Sequence, residues 1–120
     1  MSGINKVILI GHIGKEPAIR RLANDVAVLT FPFATSEMLQ KAGQPTEVTE
    51  WHNVVLWRAL AENAAQFLKK GNLVYIEGKV RTRSFTDKAG IRKFITEIVA
   101  DHYSLLGQKS DFEEQPRDTI

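Results

Sequence analysis

Leu60, Ala64, Phe67 and Leu68 fall at i, i+4, i+7 and i+8, one face of a helix, and the segments on either side keep a different period. The spacing predicts a helix over about residues 59–70, with Lys69 and Lys70 as last-turn cations and Gly71 as the stop. Around it the chain has strand character. Residues 7–10 are a short apolar run ended by Gly11 and Gly14, with Pro17 beyond. Residues 26–35 are rich in β-branched and aromatic side chains and form a second strand. Pro32 inside it has no N–H to give a ladder, which predicts an edge or a bulge there. Residues 38–46, with Gly43 and Pro45, read as a flexible loop, 47–57 as a third strand and 73–84 as a fourth. Asp87-Lys88-Ala89-Gly90 is a turn, and residues 91–106 return as a fifth strand in one or two pieces.

Five strands with one helix between the third and fourth is the element order of an OB-fold barrel, an all-β architecture. The 120 residues suit one domain with a small core, for which oligomerisation would be a useful supplement. Residues 1–107 carry the barrel, with Phe31, Phe33, Phe67 and Phe94 assigned to its core. Residues 108–120 have no periodic apolar pattern and are expected to be disordered. That tail holds two cations and four anions, so the +2 of the whole chain becomes +4 over residues 1–107. A mildly basic body is compatible with a phosphate-bearing partner, but on charge alone it reads as an ordinary solvated surface. With no cysteine, disulfides and thiol chemistry are excluded. No apolar run approaches a membrane span and the N-terminus has no signal-peptide pattern, so a cytoplasmic protein is expected.

The pattern of a catalyst is missing. His12, His52 and His102 are scattered without metal-ligand spacing, so neither a metal nor a cofactor is expected. Gly11-His12-Ile13-Gly14-Lys15 has some likeness to a phosphate loop, but its glycine spacing is wrong and Glu16 stands where Ser or Thr would hold magnesium. No nucleophile, base and orienting group come together, and the expectation is a protein that is not an enzyme.

The informative residues lie on the third and fourth strands. Side chains alternate, so Trp51, Asn53, Val55 and Trp57 share one face, while His52, Val54 and Leu56 take the face that suits a barrel interior. At about 3.3 Å per residue the two indoles lie roughly 20 Å apart, too far to stack on one another but able to hold separate bases. On the fourth strand Val74, Ile76, Gly78, Val80 and Thr82 take the inner parity, and Tyr75, Glu77, Lys79, Arg81, Arg83 and Phe85 the outer. Aromatic faces stack on any base, and cations beside them track the phosphates; together they make sequence-tolerant binding of single strands. Duplex readout would want a recognition helix, and the one helix here spends its stripe on the core. Taken singly, Trp51 suits core or subunit packing better than binding, Trp57 suits covering the helix start as well as binding, and Arg81 and Arg83 read as solvated surface. His52 reads as an interior or interface histidine.

Asn5-Lys6-Val7-Ile8-Leu9-Ile10-Gly11 with Gly14 and Pro17, Ala34-Thr35-Ser36-Glu37, Thr49-Glu50-Trp51-His52, Lys70-Gly71, Val74-Tyr75-Ile76-Glu77-Gly78 and Arg81-Thr82-Arg83 follow one another in order. Over about residues 4–106 this set resembles the bacterial single-stranded DNA-binding proteins. The resemblance implies an OB-fold homotetramer that wraps single-stranded DNA in replication, recombination and repair. It places stacking at Trp51, Trp57 and Phe85, phosphate contacts at Lys6, Arg58, Lys70, Arg81 and Arg83, and His52 near a subunit interface. Two features depart from the family. Met38-Leu39 occupies the place of a further stacking tryptophan, so one platform is expected to be lost. The long linker and acidic tip that recruit replication and repair enzymes are expected to be absent, with Phe112 among Asp111, Glu113 and Glu114 a faint echo. The alternatives are an OB-fold protein-contact module of the primosomal type and a binder of single-stranded RNA.

Overall fold

The computed structural model describes residues 2–108, so all but Gln108 of the tail expected to be disordered lies outside the described residues. The elements run β1 (Val7–Ile13), β2 (Ala18–Arg21), β3 (Ala27–Lys41), β4 (Gln44–Trp57), α1 (Arg58–Phe67), β5 (Leu73–Thr86) and β6 (Arg92–Gly107). The sheet order is β1-β5-β6-β4-β3, and a further β1–β3 pairing at His12↔Ala34 and Ile13↔Phe33 closes those five strands into a barrel. The β4–β6 pairing is parallel and the others are antiparallel. The five-stranded barrel with its helix between the third and fourth barrel strands is therefore present. The element the sequence does not announce is β2, four exposed residues paired to the outside of β3 from Ala18↔Thr30 to Arg21↔Ala27. A strand without a buried face leaves no alternation to read.

The core is the inner parity of these strands. Phe33, Leu29, Val54, Leu56, Val74 and Ile76 are sealed, and Phe31 meets Phe33 edge-to-face with centroids 6.0 Å apart. α1 packs mainly on β3 through Ala61 and Ala64, continued by Leu68 just past its end. The helix is shorter than its periodicity suggests. It ends at Phe67, so Lys69 and Lys70 follow it rather than occupying its last turn. Asn72, a buried polar residue, orders that exit: its Oδ1 accepts the Lys69 N–H at 2.8 Å. Phe67 is exposed, contrary to its assignment to the core. At about 100° per residue it stands a quarter-turn from the Ala61–Ala64–Leu68 line.

Pro32 lies at neither an edge strand nor a bulge. The β3–β4 register runs unbroken through Phe31↔Val54, Pro32↔Asn53 and Phe33↔His52. Its carbonyl accepts the Gly14 N–H at 2.9 Å, so its own nitrogen faces away from β4. There it meets the gap where the second neighbour of β3 changes from β2 to β1, and no ladder bond is lost.

Two hairpins extend past the barrel. The segment 38–46, expected to be a flexible loop, is paired from Met38↔Glu47 to Lys41↔Gln44. Ala42 and Gly43 both have positive φ (51° and 78°), the backbone of the tight turns that match strand twist. Gln40↔Pro45 is then a non-hydrogen-bonded pair, which a residue without an N–H can occupy freely. The other hairpin pairs β5 with β6 out to Thr86↔Arg92. The break allowed for in the fifth strand takes the form of irregularities in one continuous strand, where Leu106 and Asp101 are skipped opposite Leu73/Val74 and Glu77/Gly78 of β5. Beyond Gly78 the inner parity leaves the barrel, and Val80 and Thr82 are exposed. Phe94, opposite Ser84 on this arm, is 67% exposed with the Arg92 guanidinium 5.5 Å from its ring centre; it is not a core residue.

The tip of the β5–β6 arm is held by Asp87, whose Oδ1 accepts the N–H groups of Ala89 and Ile91, both at 2.9 Å, while Gly90 takes φ 81°. The Ile91 N–H chiefly, with Lys93 and the Ala89 N–H, holds the Asp87 carboxyl below its usual range against the opposing effect of burial. A depressed carboxyl stabilises above its unfolded value, about 3.9, and the contribution is lost as pH falls through the lower folded value. Below about pH 4 the Ala89 and Ile91 amide resonances are therefore expected to move together while those of β1 stay fixed, and Asp87→Ala should abolish that titration. Independent movement of the two amides would count against a shared carboxylate.

Candidate nucleic-acid interface

The outward face of β4 opens onto a groove of about 740 Å³. Asn53, Val55 and Trp57 line it, with Thr30 and Pro32 opposite on β3. Those β3 residues are short, so the floor between the rings stays open. A smaller apolar recess of about 280 Å³, between Trp51, Gly14, Lys15 and Pro32, shares Lys15 and Pro32 with the groove and continues it. Trp51 is 61% exposed and Trp57 40%, on one face as the strand period requires, while Val55 between them is buried.

Gly14 permits the posture of Trp51. A Cβ on Gly14 would stand 2.5 Å from Cζ3 and 2.8 Å from Cη2 of the indole, inside contact distance. The ring lies against bare backbone. Gly14→Ala is expected to tilt it, shifting the Trp51 fluorescence and weakening oligo-dT binding by up to the 1–3 kcal/mol of one stacking platform. Unchanged emission and unchanged affinity would show that the ring does not depend on this contact.

The far wall of the groove comes from the β5–β6 arm, through Arg83, Ile95 and Glu97. Arg83 and Phe85 share the outer parity with Arg81, and Phe85 is exposed toward the tip. Arg83 is engaged: its Nε and Nη2 each donate to a Glu97 carboxylate oxygen at 3.1 Å, and this pairing raises the Arg83 pKa. Arg81, Arg58 and Lys70 are exposed and have no ion pair among the described residues. Arg58 takes φ 60° where β4 turns into α1, a left-handed backbone that a non-glycine residue adopts at some cost. Lys6 is outside the groove lining. Its Nζ lies 3.0 Å from Glu77, which also accepts the Tyr75 hydroxyl at 2.5 Å. The Tyr75 hydroxyl first, then Lys6, depresses the Glu77 carboxyl, and Glu77 in turn raises Lys6 and Tyr75. His52 is half-buried on the inner parity, its Nε2 2.9 Å from the Thr35 hydroxyl.

A family model described as the single-strand binding protein family matches residues 4–106. The chain belongs to that family. It is 46% identical over 109 residues to the single-stranded DNA-binding protein of Neisseria meningitidis serogroup A, covering 90% of this chain and 63% of that protein. With single-stranded DNA-binding protein 1 of Chlorobaculum tepidum it shares 48% identity over 109 residues, 89% of this chain and 67% of the relative. The chain thus spans 63% of the length of the meningococcal relative. Among solved structures, the Plasmodium falciparum SSB in complex with ssDNA superposes with a TM-score of 0.78 at 30% identity, covering 89% of this chain and 97% of that one.

Two cations lining the groove escaped the sequence reading, Lys15 and Arg20. Arg20 lies on the unannounced β2, and Lys15 stands beside the Gly14 that supports Trp51. Among the described residues no cluster of His, Asp or Glu could hold a metal ion, and no helix is long and apolar enough to cross a membrane.

Proposed function

We propose that this protein binds single-stranded DNA without sequence preference, as a non-catalytic component of replication, recombination and repair in the bacterial cytoplasm. The observation that carries the reading is the pair of outward indoles, Trp51 and Trp57, along one open groove that continues to Arg83. Bases stack on Trp51, Trp57 and Phe85, while Arg58, Lys70, Arg81 and Arg83 serve the phosphates alongside Lys15 and Arg20. The similarity to an SSB bound to ssDNA supports the same choice of ligand.

Assembly as a homotetramer belongs to the proposal. β3 pairs with β1 only at His12 and Ile13, which leaves Val7 to Ile10 of β1 without a β3 partner on that side. Ile8 and Ile10 are exposed on the same strand, next to the Lys6–Glu77–Tyr75 cluster. An open edge and an apolar strip are what a second copy would cover. On this reading Lys6 and His52 serve assembly rather than the groove.

Titration with oligo-dT of graded length, read by tryptophan quenching beside the solution mass, tests both parts. Quenching should saturate with affinity falling as salt rises. An inert response at low ionic strength would end the proposal, and matched RNA oligomers binding more tightly than DNA would turn it toward RNA.

A further inference from the structure

On the wall of the groove the two outer arginines of β5 share a single acid. Glu97 lies directly opposite Arg81 in the β5–β6 register, and its carboxylate grips Arg83 through two parallel hydrogen bonds of 3.1 Å. Arg81, Arg83 and Glu97 together carry one net positive charge. The Glu97 side chain is only 12% exposed, so its carboxylate is held in place and partly dry, whereas the Arg83 side chain is 51% exposed and reaches the groove. A carboxylate in a bidentate grip on Nε and Nη2 occupies one of the two donor edges that a phosphate could use and offsets the charge that would attract it.

We infer that Glu97 is a built-in competitor for backbone phosphate at the groove wall. This rests on the proposed binding of single strands. In the free protein Glu97 occupies the Nε–Nη2 edge of Arg83 and offsets its charge. On binding, a phosphate takes one guanidinium and the carboxylate keeps the other, since Arg81 stands opposite it with no ion pair of its own among the described residues. The half-exposed Arg83 pair is screened by water, so a polyanion can exchange into it. One phosphate is thus bound where two arginines could bind two. The device limits affinity on this wall, so that a bound strand can be released.

Glu97→Gln keeps the size of the side chain and removes the competing charge. Oligo-dT affinity, measured by anisotropy of a labelled strand between low and moderate salt, is expected to rise about tenfold. The slope of log K against log salt should steepen by about 0.7, the increment of one further phosphate on a single strand. In an Arg81→Gln, Arg83→Gln background the same change should yield less than a threefold gain, because neither guanidinium that the carboxylate can hold remains. Thermal melting of each variant confirms that the barrel is intact. Equal or weaker binding by Glu97→Gln would show that the carboxylate merely supports Arg83. A full gain persisting without either arginine would show only a general field effect, and either result overturns the inference while leaving the proposed function standing. Failure of the parent protein to bind oligo-dT would remove both.

Discussion

Replacing Trp51 and Trp57 together with alanine is expected to reduce affinity for oligo-dT by roughly 30-fold to 2 × 10⁴-fold, taking about 1–3 kcal/mol for each lost base stack. The two sites are far enough apart, roughly 20 Å along β4, for their losses to add. Trp51 is mostly exposed and its truncation removes little packing, while Trp57 is more than half covered. The melting temperature should therefore fall modestly and chiefly through Trp57. The chain has only these two tryptophans, so the double variant has no indole left to quench. Anisotropy of a labelled oligonucleotide must replace fluorescence quenching. The single variants apportion the effect. Trp51, the more exposed ring beside its apolar recess, should account for at least as much as Trp57. A double variant that binds like its parent would mean that the groove holds DNA through charge alone, and the salt slope would then carry the whole affinity.

The features legible in the sequence are those that follow from period. The alternation of two along β4 places Trp51 and Trp57 on the outside whatever the rest of the fold does, and the 3.6-residue spacing isolates one helix. What it does not reveal depends on register and on where an element leaves the core. Period puts Arg81 and Arg83 on one face but cannot say that Glu97 arrives beside them; only the hairpin register through the Asp87 turn does that. Glu77 likewise ties up Lys6 from a strand 71 positions along the chain. The β3–β4 arm was obscured for another reason. Glycine and proline mark loops as readily as tight hairpins, and the outcome rests on positive φ at Ala42, a non-glycine residue. Family order locates the groove strands, while β2, with its groove-lining Arg20, carries no motif of its own.

Phe33 and Phe94 separate residue type from position. Both are phenylalanines on paired strands, and aromatic bulk argues for burial of each. Phe33 is 0% exposed at the point where β1 closes onto β3, in edge contact with Phe31, so Phe33→Ala removes buried ring area and leaves a cavity that strands on every side keep from collapsing. The expected loss is about 3–5 kcal/mol. Against the 5–15 kcal/mol of an ordinary domain, that is a large part of the total. Phe94 sits on an arm with no layer above it, and its one notable neighbour is the Arg92 guanidinium. Phe94→Ala should cost no more than about 0.5–1 kcal/mol, the worth of an exposed cation–π contact. Denaturant melts at one protein concentration make the comparison, since assembly would otherwise move both midpoints. Saturating oligo-dT should restore part of the Phe33 variant's stability, about 2.7 kcal/mol at a hundredfold excess over Kd, because only the closed barrel presents the groove. Equal midpoints for the two variants would place the load of the barrel elsewhere than at its β1–β3 seam.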